Sequence, residues 1–261
     1  MASERVRRVW AGRVEAEYRS AAITAQLLHQ LIVIGVSPDT LAVAHRIVSD
    51  ELAHAEASLE VLRAAGREGI ASLNQATLAL PVVPGPLELT ALRTCCKVFC
   101  CGETVAVPLF RALRAEAREP LAVAALDRIL VDEAVHRAFG WDLLDELLER
   151  GGEPIRAAAA AQVEGWIDGL SRAYPIGPDG CSDADKAWGL IPSADYGRIR
   201  AQCVQDTIRP WFARRGLLRS LPMRQRLAAA QHWRPGPHRS RMPMVLPQPP
   251  REQWPILCRF L

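Results

Sequence analysis

Two eight-residue stretches, S-D-E-L-A-H-A-E at 49–56 and V-D-E-A-V-H-R-A at 131–138, place Asp-Glu-x-x-His twice in one chain. A glutamate precedes each at a similar distance: Glu17 lies 34 residues before Glu51, and Glu103 lies 30 before Glu133. One Glu-x-x-His on a helix is an ordinary solvated face, but its recurrence with the same flanking acids demands a spatial explanation. Residues i and i+3 of an α-helix share a face with β-carbons about 5–6 Å apart, so a carboxylate oxygen and an imidazole nitrogen can converge on one point. Two such pairs, with one glutamate from each of two partner helices, require four helices packed side by side with six side chains at one level.

The punctuation of the chain supplies four helices of the needed length. Helical periodicity runs from about residue 5 to residue 34 and stops at Gly35. Ser37-Pro38-Asp39 then offers an N-cap, a proline at the first helical position and an acid in the first turn, opening a second helix that ends near Gly66. Residues 67–84 carry prolines and no sustained amphipathic face, which predicts a long connection. Pro86 opens a third helix reaching about Ala117, and Pro120 a fourth that stops at Gly151-Gly152. A helix of about 28 residues is about 42 Å long, and about 18 connecting residues extend about 60 Å, enough to return along the whole bundle. Glu51 and Glu133 each fall thirteen residues after their opening prolines, Pro38 and Pro120, so their depths match.

The expected fold class is therefore all-α: a four-helix bundle with one long crossover in residues 1–152. The abundance of alanine, leucine and arginine over β-branched and aromatic runs agrees. A helical extension is expected over 153–216, with helices at 154–174 and 193–214 separated by the turn-rich Y-P-I-G-P-D-G-C-S-D. A basic, proline-rich tail occupies 217–261.

Charge decides what the six side chains are for. Four buried carboxylates without compensation would take up protons or unfold the chain, so the cluster makes sense chiefly around cations. Two divalent ions balance four carboxylates, and mixed carboxylate and imidazole ligation without thiolate suits iron or manganese.

A glutamate from each of two helices plus Glu-x-x-His from each of the other two is the pattern of ferritin-like di-iron carboxylate proteins, and residues 5–150 resemble that superfamily. The segments W-A-G-R-V-E-A-E-Y-R-S, G-E-T-V-A-V and I-L-V-D-E-A-V-H-R-A-F-G-W resemble a bacterial subgroup of ferritin-like domain proteins. The doubled Glu…Asp-Glu-x-x-His is also similar to the signature of arylamine N-oxygenases of the p-aminobenzoate type, of aldehyde-deformylating oxygenases and of bacterioferritin. The resemblance implies two Fe ions, with Mn or mixed Mn/Fe as alternatives. By it Glu51 and Glu133 bridge the metals, Glu17 and Glu103 are terminal ligands, and His54 and His136 bind one metal each. The activity implied is that of a non-haem di-iron oxidase or oxygenase, an oxidoreductase using dioxygen, a small organic substrate and an external electron donor. The alternative is a ferroxidase or peroxide-scavenging protein of the bacterioferritin kind, although a cage would not readily accommodate over a hundred residues after the bundle. Rubrerythrin is excluded by the lack of a rubredoxin-like module.

Smaller features complete the expectation. Glu15 lies about 160° from Glu17 around the helix, so only one of them faces inward, and Glu17 is preferred because it is seven residues after Trp10 and three before Ser20. Cys96 and Cys100 share the helical face of Glu103, while Cys95 and Cys101 point elsewhere; core packing is their plainer role and a redox thiol the alternative. Pro108 deprives the Thr104 carbonyl of its helical donor and predicts a kink. Tyr18 reads as a packing residue. Asp50 and Asp132 are balanced between solvated acids and partners of the histidines across the bundle. Helical phase places Cys100, Val107, Phe139 and Gly140 along a pocket.

Between residues 207 and 261 eleven arginines face the single acid Glu252. A disordered or surface-laid tail is the reading ahead of binding to RNA, membrane or an acidic partner, and no RNA-binding motif is present. The amino terminus has no apolar signal core, and no apolar span of about 20 residues follows. Seven cysteines, four of them in adjacent pairs, do not make a disulfide framework. The expected protein is cytoplasmic, without a membrane or nucleic-acid partner, and homodimer formation is left open.

Overall fold

The computed structural model describes residues 2–67, 73, 75–80, 84–173 and 180–218. Most of the basic tail and half of the 67–84 connection lie outside them. Every regular element among the described residues is helical.

Helix α1 (Glu4–Ile34) starts where the Ser3 hydroxyl accepts from the Val6 N–H and ends at Gly35, whose φ of 76° lets its N–H reach back to the Leu31 and Ile32 carbonyls. Helix α2 (Pro38–Ala64) opens as its sequence predicts, with Ser37 Oγ accepting from the Thr40 N–H and Pro38 in the first turn.

The third helical run is one rod in three parts: α3 (Leu87–Thr94), a π-helical stretch over Cys95–Glu103, and α4 (Thr104–Glu116). The expected irregularity thus lies upstream, and α4 continues through Pro108. The Thr104 carbonyl, deprived of a donor by Pro108, accepts instead from the Cys203 thiol at 3.3 Å, while the Thr104 hydroxyl accepts from Trp141 Nε1 at 3.0 Å.

Wide turns also change which cysteines meet. Cys95, expected to point away, lies with its sulfur 4.0 Å from that of Cys100, and both thiols donate to the Gly140 carbonyl at 3.2 Å. A separation of five residues brings side chains into register only where bonding shifts from i−4 to i−5. All four cysteines of the stretch are buried.

Helix α5 (Pro120–Ala173) runs on past the predicted stop, but Gly152, at φ 57° and ψ −148°, is not helical. The two glycines therefore make a break between helical arms rather than a loop. Gly140 sits where α5 crosses the π stretch. A β-carbon there would come 2.4 Å from Phe99 Cβ and 2.8 Å from the Phe99 carbonyl carbon, so only glycine permits this approach. The chain then forms α6 (Asp183–Ala187), which the sequence reading left inside a loop although Ser182 and Asp185 make a full capping box. Helix α7 (Ser193–Cys203), a π turn over Val204–Ile208 and α8 (Arg209–Arg214) together fill the expected 193–214 helix.

Packing follows the pairing that the motif requires. Helix α1 lies along α2, the α3–α4 rod lies along α5, and contacts of α2 with α5 and of α1 with α3 join the pairs. Glu146 of α5 accepts from the Ser37 N–H and from the Ser37 and Thr40 hydroxyls, tying down the α1–α2 turn. The C-terminal helices are fastened on by Trp10 Nε1 donating to the Trp188 carbonyl at 3.0 Å and by Trp141 edge-on to Trp211 and Phe212.

Two hydrophobic clusters form the core, one around Leu27, Ile47, Phe99 and Leu143, the other around Trp10, Leu62, Leu113 and Leu126. In each of the four long rods the candidate ligand falls between a member of one cluster and a member of the other: Glu17, Glu51, Glu103 and Glu133 make a polar layer across the middle. No helix of the described residues is long and apolar enough to cross a membrane.

Candidate metal centre

All six predicted side chains are buried: Glu17, Glu51 and His54 from α1 and α2, Glu103 at the end of the π stretch, and Glu133 and His136 from α5. Glu51 lies between the two rings. Its Oε2 is 3.6 Å from His54 Nδ1 and its Oε1 is 3.5 Å from His136 Nδ1, and Oε1 also accepts from the Ser20 hydroxyl at 2.8 Å. Glu17 Oε2 is 4.0 Å from His54 Nδ1. Glu17, His54 and Glu133 bring one ligand atom each within 4.8 Å of one another, and Glu103, Glu133 and His136 do the same. Glu133 belongs to both groups. Glu51 enters neither group and is placed instead by its approach to both Nδ1 atoms; Glu15 is only half-buried and has no such approach.

The far side of each histidine is held by an aspartate from the opposite helix. His54 Nε2 is 3.1 Å from Asp132 Oδ2, and His136 Nε2 is 3.5 Å from Asp50 Oδ2. Both aspartates are buried, which decides between the two roles open to them. A carboxylate at Nε2 keeps a proton there and turns the Nδ1 lone pair toward the glutamates.

Two arginines complete this outer layer, and the sequence reading missed them. Arg46 reaches Asp50 at 3.3 Å and Asp132 at 3.5 Å, and Arg128 reaches Asp132 at 3.3 Å. Each stands four residues before its aspartate, so the repeated unit is Arg-x-x-x-Asp-Glu-x-x-His. That longer repeat was the available signal.

The electrostatics express crowding of like charge. Burial, followed by the Glu51 charge, pushes Glu17 well above the usual carboxylate range. Burial and then Glu103 do the same to Glu133, and burial raises Glu103. Burial also opposes ionisation of Glu51, but the approach of His136 and His54 at 3.5 and 3.6 Å overcomes it and holds Glu51 well below that range. For the histidines burial favours the neutral ring, yet Asp132 and Glu51 raise His54 to about 9, and Asp50 and Glu51 raise His136 to about 10.

Four buried atoms in this layer have no hydrogen-bond partner: Glu51 Oε2, Glu133 Oε2, His54 Nδ1 and His136 Nδ1. Buried polar atoms are seldom left so. Here two carboxylate oxygens converge with two ring nitrogens that become lone-pair donors on losing a proton, and the four carboxylates would neutralise two divalent cations. The donor set fits a pair of hard or borderline metal ions.

A cavity of about 650 Å³ opens against the layer, with all four glutamates in its wall. Its other walls include Gly102, Ala106, Leu109 and Phe110, not the expected Cys100, Val107, Phe139 and Gly140. Phe139 and Gly140 pack onto Phe99 instead. Tyr18 is exposed and takes no part.

No protein-family model, curated protein or solved structure matches this chain.

Removing the carboxylate behind a histidine tests the geometry of the centre. Asp132→Asn is expected to weaken Mn(II) binding about 10–100-fold, the range typical of such supporting groups, as read by chelator competition. Asp50→Asn, with its longer contact to His136, should lose less.

Proposed function

We propose that the chain is a ferritin-like four-helix bundle with one long crossover, holding two iron ions and acting as a non-haem di-iron oxidase or oxygenase on a small organic substrate. The single observation that carries this reading is the buried layer in which four carboxylates meet two imidazole Nδ1 atoms, with four of the lone-pair atoms left without partners. Glu51, lying between both rings, and Glu133, shared by both ligand groups, occupy the positions from which a carboxylate can bridge two ions. Glu17 and His54 would complete one ion, Glu103 and His136 the other. Manganese, or one ion of each kind, suits the same donors.

Bound ferrous ions would supply the electrons that activate dioxygen, with an external donor restoring them. The chain's own work is to orient and to exclude. Asp132 and Asp50 keep the Nε2 protons in place, and the two hydrophobic clusters deny bulk water access along the helix axes. The cavity beside the glutamates has the size of a small-molecule site, within the usual ~300–1,000 Å³. Room for an organic molecule favours this function over one in which iron itself is the substrate.

The deciding experiment gives anaerobically Fe(II)-loaded protein limited dioxygen in the presence of excess Fe(II). An oxidase or oxygenase is expected to consume dioxygen in proportion to bound iron, retain that iron and leave the excess ferrous. Catalytic oxidation of the excess would assign iron handling instead.

A further inference from the structure

The proposed metal centre does not account for the cations in the cavity wall. Arg13 of α1 lies one turn before Glu17, its guanidinium 4.2 Å from the centre of the Trp10 ring and 5.4 Å from that of Phe110. Its Nη1 is shielded from solvent and has no hydrogen-bond partner. Arg19 Nε, in the same wall, is in the same state. Burial pulls the Arg13 pKa down, opposed by Tyr196 and Glu17, but a guanidinium keeps its charge in any protein environment. Glu17 does not discharge this need, because its carboxylate is turned to His54 and Glu51. Apolar residues of the same wall include Val9, Ala106, Leu109, Phe110, Leu190 and Ile191, alongside the polar Lys97 and Tyr196. Two stacked rings hold a planar fork of donors in place, and an oxyanion with two acceptor atoms is what such a fork matches.

We propose that the cavity binds a small organic carboxylate, its anionic head on Arg13 and its apolar body along the wall, so that the far end meets the glutamate layer. This rests on the oxidase reading for what happens at the far end, but not for the binding itself. One turn of α1 separates Arg13 from Glu17, a backbone rise of about 6 Å, and the guanidinium lies back over Trp10, so head and glutamate layer are at least that far apart. A chain of about six carbons spans it.

Hexanoate and the uncharged hexanamide serve as probes, titrated calorimetrically into the full-length chain, both metal-free and loaded with Fe(II) under nitrogen. The metal-free arm removes direct ligation of a carboxylate to iron. Hexanoate is expected to bind both forms with a Kd at least tenfold below that of hexanamide, and Arg13→Gln to erase this preference by weakening hexanoate alone. Arg13→Lys, which keeps the charge without the fork, is expected to weaken hexanoate at least threefold and stands in if the glutamine variant does not fold. Equal affinities for the two probes, no saturable binding of hexanoate, or full hexanoate affinity in the Arg13 variants each overturn the proposal. If those results appear while the chain still binds two irons, the metal centre survives. Arg13-dependent hexanoate binding in a chain that takes up no iron would have the opposite meaning.

Discussion

Glu51→Ala is expected to empty the metal centre. In an anaerobic titration of metal-free protein the wild type should bind two Fe(II) per chain, and the variant fewer than one. The reason is position: Glu51 alone among the carboxylates stands within 3.6 Å of both Nδ1 atoms, so on the proposed reading its loss would remove a ligand from each ion at once. It also removes the strongest ionised acid of the layer, since its neighbours Glu17, Glu103 and Glu133 are all biased toward protonation. Two neighbouring cations without that bridging charge would repel, and the second would be lost with the first. Glu15→Ala, two residues from Glu17 but only half-buried and turned away from the layer, should retain both irons and serves as the matched control. Far-UV circular dichroism must show both variants helical. Two irons in Glu51→Ala would remove the bridging role and with it the di-iron reading.

How much of this was legible depends on whether a signal is local. Helix starts at Ser37-Pro38 and Pro120 and the stop at Gly35 are written in residues whose backbone preferences act within a turn, and they appear where expected. The doubled Asp-Glu-x-x-His was legible for the same reason, and the structure brings all six of its predicted side chains into one buried layer. The π stretch was not legible. A shift from i−4 to i−5 bonding has no compositional mark, and its partners are distant in sequence: the Gly140 carbonyl accepting from the Cys95 and Cys100 thiols, and Gly140 allowing α5 to close on Phe99. Helical phase counted across that stretch fails, which is why Cys95 was misplaced. Arg46 and Arg128 were within reach, because their spacing repeats with the motif. Arg13 was not, since nothing in sequence distinguishes a guanidinium on a cavity wall from one in solvent.

Metal affinity is expected to climb steeply with pH, by at least ~100-fold per unit between about pH 6.5 and 8.5, in Mn(II) competition measurements. In the metal-free chain His54 titrates near 9 and His136 near 10, so both rings are protonated through that window. Each Nδ1 must lose its proton before it can ligate, and each proton released adds about a factor of ten per pH unit. Protons held on Glu17 and Glu133 can only steepen the slope. Stability of the metal-free chain should move the other way. A histidine whose folded pKa exceeds its unfolded value, about 6.5, stabilises fully below that value and loses the contribution as pH rises through the folded pKa. The melting temperature of metal-free protein should therefore fall from pH 7 to 10, while that of metal-loaded protein, whose Nδ1 atoms carry no proton to lose, should not follow it. The gap between the two curves widens with pH as a direct consequence of one competition, proton against metal, for the same two nitrogen lone pairs. A flat affinity with no fall in melting temperature would mean neutral rings in the metal-free centre, and would remove the charge pairing of Glu51 with both histidines.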